Sequence, residues 1–419
     1  MPFGRRELSP VPLYLVLTGG YAFFFGLFVS VNIVFQVQEA QLNPLQLVLV
    51  GTVLEATVFL YEVPTGIVAD LHSRRLSVIM GLVIVGAGLA LAATPDFWTI
   101  IGAHVLWGSG YTFISGAQQA WIADEVGAEA VGPVYLRSAQ VEQFARMASL
   151  VVGVGLATLQ LSLPMLAGGF GLLVLAALMT LTMPERGFKR RPDGESATII
   201  STFAAGVGLV RRTPLLVTLF CIAAFYGMAG EGVDRLWIKH FFDDLGFPAG
   251  FDVEPVVWFG AIRMVFLLLS TGAVELIKRR VDTQSHRDVS RGLFAINSLQ
   301  IAAIAAFALS GDFTAGVVTF SCAAVLSTAY APLYLAWINQ NVDSSVRATV
   351  ISMSSQVDAL GQITGGPVLG AVGTLVSIRA ALIGAAASLS PALLFYARAF
   401  KQGAGRDSSA VETGPASSG

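Results

Sequence analysis

Leu76-Ser-Val-Ile-Met-Gly-Leu-Val-Ile-Val-Gly-Ala-Gly-Leu-Ala-Leu-Ala-Ala93 is a run of eighteen residues without one charged side chain. At about 1.5 Å of rise per residue, a helix of that length covers most of the ~30 Å hydrocarbon core of a bilayer. The run lacks the apolar and polar alternation of a lipid-facing barrel strand, and a helix satisfies its own backbone polar groups where no water can. Segments of the same kind lie on both sides of it. Hydropathy, turn residues and charge clusters together predict crossings near 11–36, 44–69, 76–94, 97–122, 136–159, 162–183, 213–241, 255–278, 292–310, 313–338, 347–372 and 376–398. The composition agrees. With 55% hydrophobic and only 12% charged residues, the chain has about half the charge of a soluble domain and too little polar surface to coat one in water. The fold class read from these runs is an all-α membrane protein of twelve transmembrane helices.

Sidedness follows from the 25 Lys and Arg residues rather than from the net charge of -2. Placing both termini inside puts Arg5, Arg6, Arg74, Arg75, Lys278, Arg279, Arg280 and their like on one side, against only Lys239 and Arg379 on the other. The expected location is therefore the inner or plasma membrane of the cell, multi-pass, with both ends cytoplasmic. Arg5 and Arg6 precede an apolar stretch too long for a signal peptide, so no leader is expected to be removed.

The longest polar interruption, Pro184 to Thr213, divides the crossings six and six. It reads as a cytoplasmic linker, giving an N-terminal six-helix bundle at 1–183, the linker at 184–212, a C-terminal bundle at 213–401 and a disordered Gly, Ser and Ala-rich tail at 402–419. A weak internal repeat supports the halves, since Leu136-Arg137 opens the fifth crossing as Val346-Arg347 opens the eleventh. Two pseudo-symmetric bundles related by an axis along the membrane normal suit alternating access about a site near the midplane.

Several function classes find no support in the residues. Cys221 and Cys322 both lie inside crossings, and His72, His104, His240 and His286 are scattered, so no disulfide framework, zinc spacing or nucleophile with its base is seen. No phosphate-binding loop of the kind that drives an ATP pump occurs. The expectations are no enzymatic activity, no cofactor, no metal and no nucleic-acid partner. A membrane sensor or intramembrane enzyme is the disfavoured reading of another class.

Gly66-Ile-Val-Ala-Asp70-Leu-His-Ser-Arg74-Arg75, between the second and third crossings, resembles the Gly-x-x-x-Asp-x-x-x-Arg-Arg/Lys loop signature of the major facilitator superfamily, with Leu71 and Ser73 departing from it. Ile100 to Thr112 resembles the family's fourth-crossing pattern through Gly108 and Gly110, with His104 standing where an arginine is usual. Glu62-Val-Pro-Thr-Gly66, Ser115 to Glu125 and Asp234-Arg235-Leu-Trp237 look like the branch holding bacterial drug and macrolide exporters. The Gly-Pro pair of many drug and proton antiporters is absent from the fifth crossing; Gly366-Pro367 stands in the eleventh instead. The resemblance implies the two-bundle major facilitator fold, with the second, fifth, eighth and eleventh crossings meeting between the halves. It also implies that Asp70, Arg74 and Arg75, with Gly66 and a bracing Glu62, act as a conformational latch; a solvated basic loop serving only topology is the plainer reading.

Charges buried in a bilayer are expensive, by about 2.5 to 3.5 kcal/mol on the lenient insertion scale, and usually face a cavity or each other. Glu55, Arg146, Arg263 and Asp358 each fall near the middle of a crossing. They are expected to form ion pairs, either exchanging as Glu55 or Asp358 takes up a proton or standing as static braces. Glu142 and Arg146 are four apart, as are Glu231 and Arg235, so each pair can close along its own helix. Glu231 and Asp234 are candidates for a proton or substrate gate.

Trp107, Tyr111, Gln118 and Trp121 recur on the fourth crossing at mostly same-face spacing, and Tyr330, Tyr334 and Trp337 on the tenth. With Tyr226 they are the candidate substrate contacts, unless they pack helices or belt the interface. Aromatic faces with few amides suit a large amphipathic or cationic organic molecule. The function expected is proton-coupled export of such a compound by a monomer in the bilayer. The rival is exchange or uptake of an organic anion clamped by Arg146 and Arg263.

Overall fold

A computed structural model describes residues 9–188 and 214–398. Parts of the expected linker (189–212) and the whole expected tail (402–419) lie outside the described residues, as do Arg5 and Arg6. The helices are α1 Pro10–Gln38, α2 Pro44–Leu71, α3 Arg74–Leu91, α4 Phe97–Ile114, α5 Ala117–Val126, α6 Val131–Ala157, α7 Leu163–Thr182, α8 Pro214–His240, α9 Pro255–Arg280, α10 His286–Ala308, α11 Phe313–Asn341, α12 Ser344–Leu375 and α13 Ile378–Ser388. A single π turn, Phe241–Leu245, extends α8. After a turn at Leu389, the last helix runs on to Arg398. Among the described residues no strand occurs, and nine helices are long and apolar enough to cross a membrane. The helices α6 and α12, which carry Glu142, Arg146, Arg347 and Asp358, fall outside that set.

Local chemistry explains where the helices begin. Asn43 and Gln46 form a reciprocal capping box ahead of Pro44, each accepting from the other's backbone N–H. Ser73, Asp96, Ser285, Asp312 and Ser377 each accept from an N–H of the following first turn, satisfying groups a bilayer would leave orphaned.

One difference from the sequence reading concerns the fourth crossing, expected as one span over 97–122. It is two helices, α4 and α5, broken at Ser115 and Gly116, where Gly116 has φ +76°. That left-handed backbone conformation is open to glycine at no steric cost and ends α4 abruptly. The consequence is that Trp107 and Tyr111 belong to one helix, and Gln118 and Trp121 to the next.

Contacts divide the molecule into two compact units, the first joining 9–188 with Gly250–Met264 and the second joining 214–249 with 265–398. In the first, α1 packs on α6 and α7, α3 on α4 and α7, and α2 on α4. In the second, α8 packs on α12 and α13, and α10 on α11 and α13. Lipid tails are as apolar as leucine, so helices associate through close packing of small residues rather than through expulsion of water. Glycines mark the closest approaches. A Cβ on Gly86 of α3 would meet the Gly169 carbonyl oxygen of α7 at 2.8 Å, and one on Gly227 of α8 would collide with the backbone of Asp358 on α12.

Candidate functional site

At the α2 to α3 turn the charged residues converge. The Ser73 hydroxyl caps α3 by accepting from Leu76 N–H at 2.9 Å, and donates to Glu185 Oε2 at 2.7 Å. The other oxygen of Glu185 accepts from the Arg75 backbone N–H at 3.0 Å. A carboxylate on the first turn of a helix gains from unpaired N–H groups and from the helix dipole. The Arg75 guanidinium donates to the Thr180 carbonyl at the end of α7 at 2.6 Å. Arg74 lies between two acids: Nη2 is 3.7 Å from Asp70 Oδ1, while Nη1 donates to Asp124 Oδ2 and, at 2.8 Å, to the Ala120 carbonyl. From α5, Glu125 Oε1 accepts the N–H groups of Arg186 and Gly187 at 2.6 and 2.8 Å, and Trp121 Nε1 donates to the Pro184 carbonyl at 2.7 Å.

The loop signature thus ties α3, α5 and the end of α7 together within the first unit. Asp124, Glu125 and Glu185 carry much of that tie, and the sequence reading assigned them no role. The usable signal was their sign: three acids flank a basic loop at two helix ends. Gly66 and Glu62 lie on the exposed side of α2, and a Cβ on Gly66 would meet nothing within 4 Å.

Deeper in the first unit, Arg146 of α6 pairs along its own helix with Glu142, Nη2 to Oε2 3.3 Å, and its side chain is 64% exposed. Arg263, on the part of α9 grouped with this unit, donates to the Val29 carbonyl of α1 at 2.7 Å. Glu55 is half-buried midway along α2. Trp107 packs its ring against Phe25, Phe28 and His104 at centroid distances of 5.3, 5.4 and 5.1 Å. His104 is fully buried, and its Nδ1 lies 2.8 Å from the Ile100 carbonyl one turn back. Tyr111 is exposed, and the half-buried Gln118 keeps its Oε1 without a hydrogen-bond partner among the described residues. Trp121 is 1% exposed, packed on Tyr14 and held by Pro184.

The second unit gathers a different set. Glu231 of α8 is 3% exposed and accepts from Arg235 Nε at 3.1 Å. Across the α8 and α12 contact, Asp358 accepts from Gln362 Nε2 at 2.9 Å and lies within electrostatic reach of both Glu231 and Tyr334. Asp234, one turn from Ile238 on the same helix, is exposed.

Beside these acids stand stacked tyrosines. Tyr226 lies on Tyr330 at 3.9 Å and 11°, and Tyr330 on Tyr334 at 5.2 Å and 21°. Each hydroxyl is engaged: Tyr226 donates to Asn297 Oδ1 at 2.7 Å, Tyr334 to the Leu219 carbonyl at 3.0 Å, and Tyr330 accepts from Tyr396 at 3.1 Å. Trp337 is 0% exposed and sits in the apolar core of the unit with Leu219, Leu293 and Leu333. The tyrosine hydroxyls are thus ordered by partners within the second unit.

Comparison with known proteins identifies the family. A family model described as Major Facilitator Superfamily matches residues 13–282. YxaM of Bacillus subtilis (strain 168), an MFS-type transporter, is 21% identical over 359 residues, covering 84% of this chain and 86% of its own. Among solved structures, the nucleoside transporter NupG superposes with a TM-score of 0.76 at 14% identity, covering 94% of this chain and 100% of that one. A bacterial homologue of the human lysosomal transporter Spinster, inward-facing and unoccupied, gives 0.71 at 15% identity, covering 94% and 98%. The peptide transporter POT in complex with sulfate gives 0.70 at 15% identity, covering 96% of each chain. With twelve crossings in this arrangement, the chain is a multi-pass membrane protein and a secondary transporter rather than an enzyme, and it belongs to the major facilitator superfamily.

Proposed function

We propose that this chain exports a small amphipathic organic compound in exchange for protons, by alternating access of its two bundles. The observation that carries the reading is Glu231, a carboxylate buried to 3% exposure that pairs with Arg235 along its own helix and lies within electrostatic reach of a second acid, Asp358. A second acid within reach of a buried ion pair disfavours ionising both carboxylates at once, and a proton relieves that repulsion. The outer, half-buried rings of the stack, Tyr226 and Tyr334, have the flat, polarisable character that a large apolar or cationic molecule uses. In this reading Asp70, Arg74 and Arg75, held by Asp124 and Glu185, latch one closed state, and the loop faces the cytoplasm.

The test uses inverted vesicles carrying the full chain, an imposed pH gradient and a chemically diverse panel of amphipathic compounds, with internal pH followed by a trapped dye. At least one compound should dissipate the gradient in wild type and fail to do so in Glu231→Gln or Asp358→Asn. Dissipation by none of the panel removes proton antiport. The exposure of Arg146 favours a second reading, exchange or uptake of an organic anion held by Arg146 and Arg263. Arg146→Gln and Arg263→Gln should abolish anion binding if that reading holds, and should leave compound export with an altered pH profile if it does not.

A further inference from the structure

The far end of α8 carries a buried histidine for which the transport reading has no use. His240 is fully buried. Its Nδ1 lies 2.8 Å from Asp244 Oδ2 in the π turn, and its Nε2 lies 3.1 Å from the Phe307 carbonyl in the last turn of α10. The ring of Phe307 stands edge-on to the imidazole at 4.9 Å and 87°, closing the site on that side. A carbonyl oxygen only accepts, so Nε2 must carry a hydrogen. An ionised carboxylate also only accepts, so a second hydrogen must lie between Nδ1 and Oδ2. Neutral imidazole and free carboxylate together are one proton short of this geometry.

The surroundings fit a site that gains and loses that proton. Arg379 of α13 approaches the other oxygen of Asp244, Nε to Oδ1 3.6 Å, and donates to the Ser310 carbonyl just beyond α10 at 3.4 Å. Lys239 and Asp243 pair beside it at 3.0 Å. Asp244 is 26% exposed, which gives the buried ring a path to solvent through its partner. The C-terminal end of α10, where Phe307 lies, carries the negative end of a helix dipole and favours a cation. The π turn matters mechanically. It places Asp244 two residues before Gly246, whose φ of +68° turns the chain away and whose N–H donates to the carbonyl of Phe241 at 2.9 Å. Turns of this kind are rare and gather at functional positions.

We propose that His240 and Asp244 form a proton-binding clamp that fastens the end of α8 to the C-terminal turn of α10. With the proton bound, both ring nitrogens donate. When it leaves, the one remaining ring hydrogen goes to Nδ1, where the ionised Asp244 is the stronger acceptor; Nε2 and the Phe307 carbonyl then face each other as two lone pairs across 3.1 Å, and the tie to α10 opens. The clamp therefore grips at low pH and loosens as pH rises. The charged groups that set its response are Asp244, Arg379, Lys239 and Asp243.

Hydrogen exchange of the purified full chain, read by mass spectrometry on peptides covering 236–250, tests this between about pH 5 and 8, where imidazole changes charge. Protection factors in wild type should fall about tenfold across one step as pH rises, the worth of a single hydrogen bond. His240→Gln can still donate to the Phe307 carbonyl but cannot bind the proton, so its step should vanish. In Asp244→Asn the amide can donate to a bare Nδ1, so protection should stay high at every pH; this variant also serves if His240→Gln does not fold. A wild-type profile without a step, or the same step in both variants, overturns the proposal. The measurement needs neither substrate nor gradient, so its failure is separate from failure of the proton-antiport reading.

Discussion

Ser73 and Glu185, 112 residues apart in sequence, are joined by a hydrogen bond of 2.7 Å from the serine hydroxyl to Oε2. Ser73 therefore caps α3 from one side while Glu185 caps it from the other through the Arg75 N–H. Glu185→Ala should lower the thermal unfolding midpoint of the detergent-purified protein by the equivalent of about 1 to 2 kcal/mol, the usual worth of a cap with charge-assisted hydrogen bonds. Ser73→Ala should cost less, because Glu185 keeps Arg75. An equal or larger loss from Ser73→Ala would show that the glutamate is not the principal brace.

The α8 and α12 contact predicts a sharp contrast between two glycines on one helix. Gly227→Ala drives a methyl group into the backbone of Asp358 and should cost at least about 1 to 3 kcal/mol, as overpacking does, seen as poor recovery of folded protein. Gly230→Ala meets nothing within 4 Å and should be neutral or stabilising by about 0.5 kcal/mol, since alanine loses less entropy in a helix. Size-exclusion profiles and unfolding midpoints of the two variants decide it.

Removing one member of the Glu231 and Arg235 pair should hurt more than removing both. Arg235→Gln leaves Glu231 buried without its 3.1 Å partner and should destabilise by about 3 kcal/mol, the scale for a stranded buried charge. Adding Glu231→Gln to that variant should restore most of the midpoint. A double variant no more stable than Arg235→Gln alone would mean the pair adds packing rather than charge balance.

Asp96, in the turn before α4, supplies a pH dependence with a definite sign. Its Oδ2 accepts from the Thr99 N–H and hydroxyl, both at 2.8 Å, and these bonds hold the carboxyl below its ordinary value of 3.8. A folded-state value below the unfolded one contributes stability above the ordinary value, and that stability is lost as pH falls through the folded value. Acidifying wild type below about pH 4 should thus lower its midpoint more steeply than that of Asp96→Asn, which caps without a charge. Parallel curves for the two proteins would refute the assignment.

Much of the architecture is legible from local chemistry. A run such as Leu76 to Ala93 has one stable form in lipid, because every backbone N–H and C=O must find a partner inside the segment. Periodicity over the fourth crossing misled because it treats 97–122 as one cylinder, and a single residue, Gly116 at φ +76°, resets the face presented by everything after it. The four-residue spacings of Glu142 with Arg146 and Glu231 with Arg235 lead directly to pairs because both partners ride one helix.

Sequence alone determined which stretches form apolar helices, the break inside the fourth crossing excepted, and with them the loop signature Gly66 to Arg75 and the family it implies, since each rests on residues within a turn or two of one another. Only the tertiary structure decided that Asp124 and Glu185 grip the loop, that Asp358 comes within reach of Glu231, that Trp337 and Trp121 are buried to 1% exposure or less, and that His240 faces two acceptors. Those relations span from four to more than a hundred residues and depend on how ridges and small side chains seat one helix against the next, which is set by packing over whole surfaces and not by any spacing along the chain.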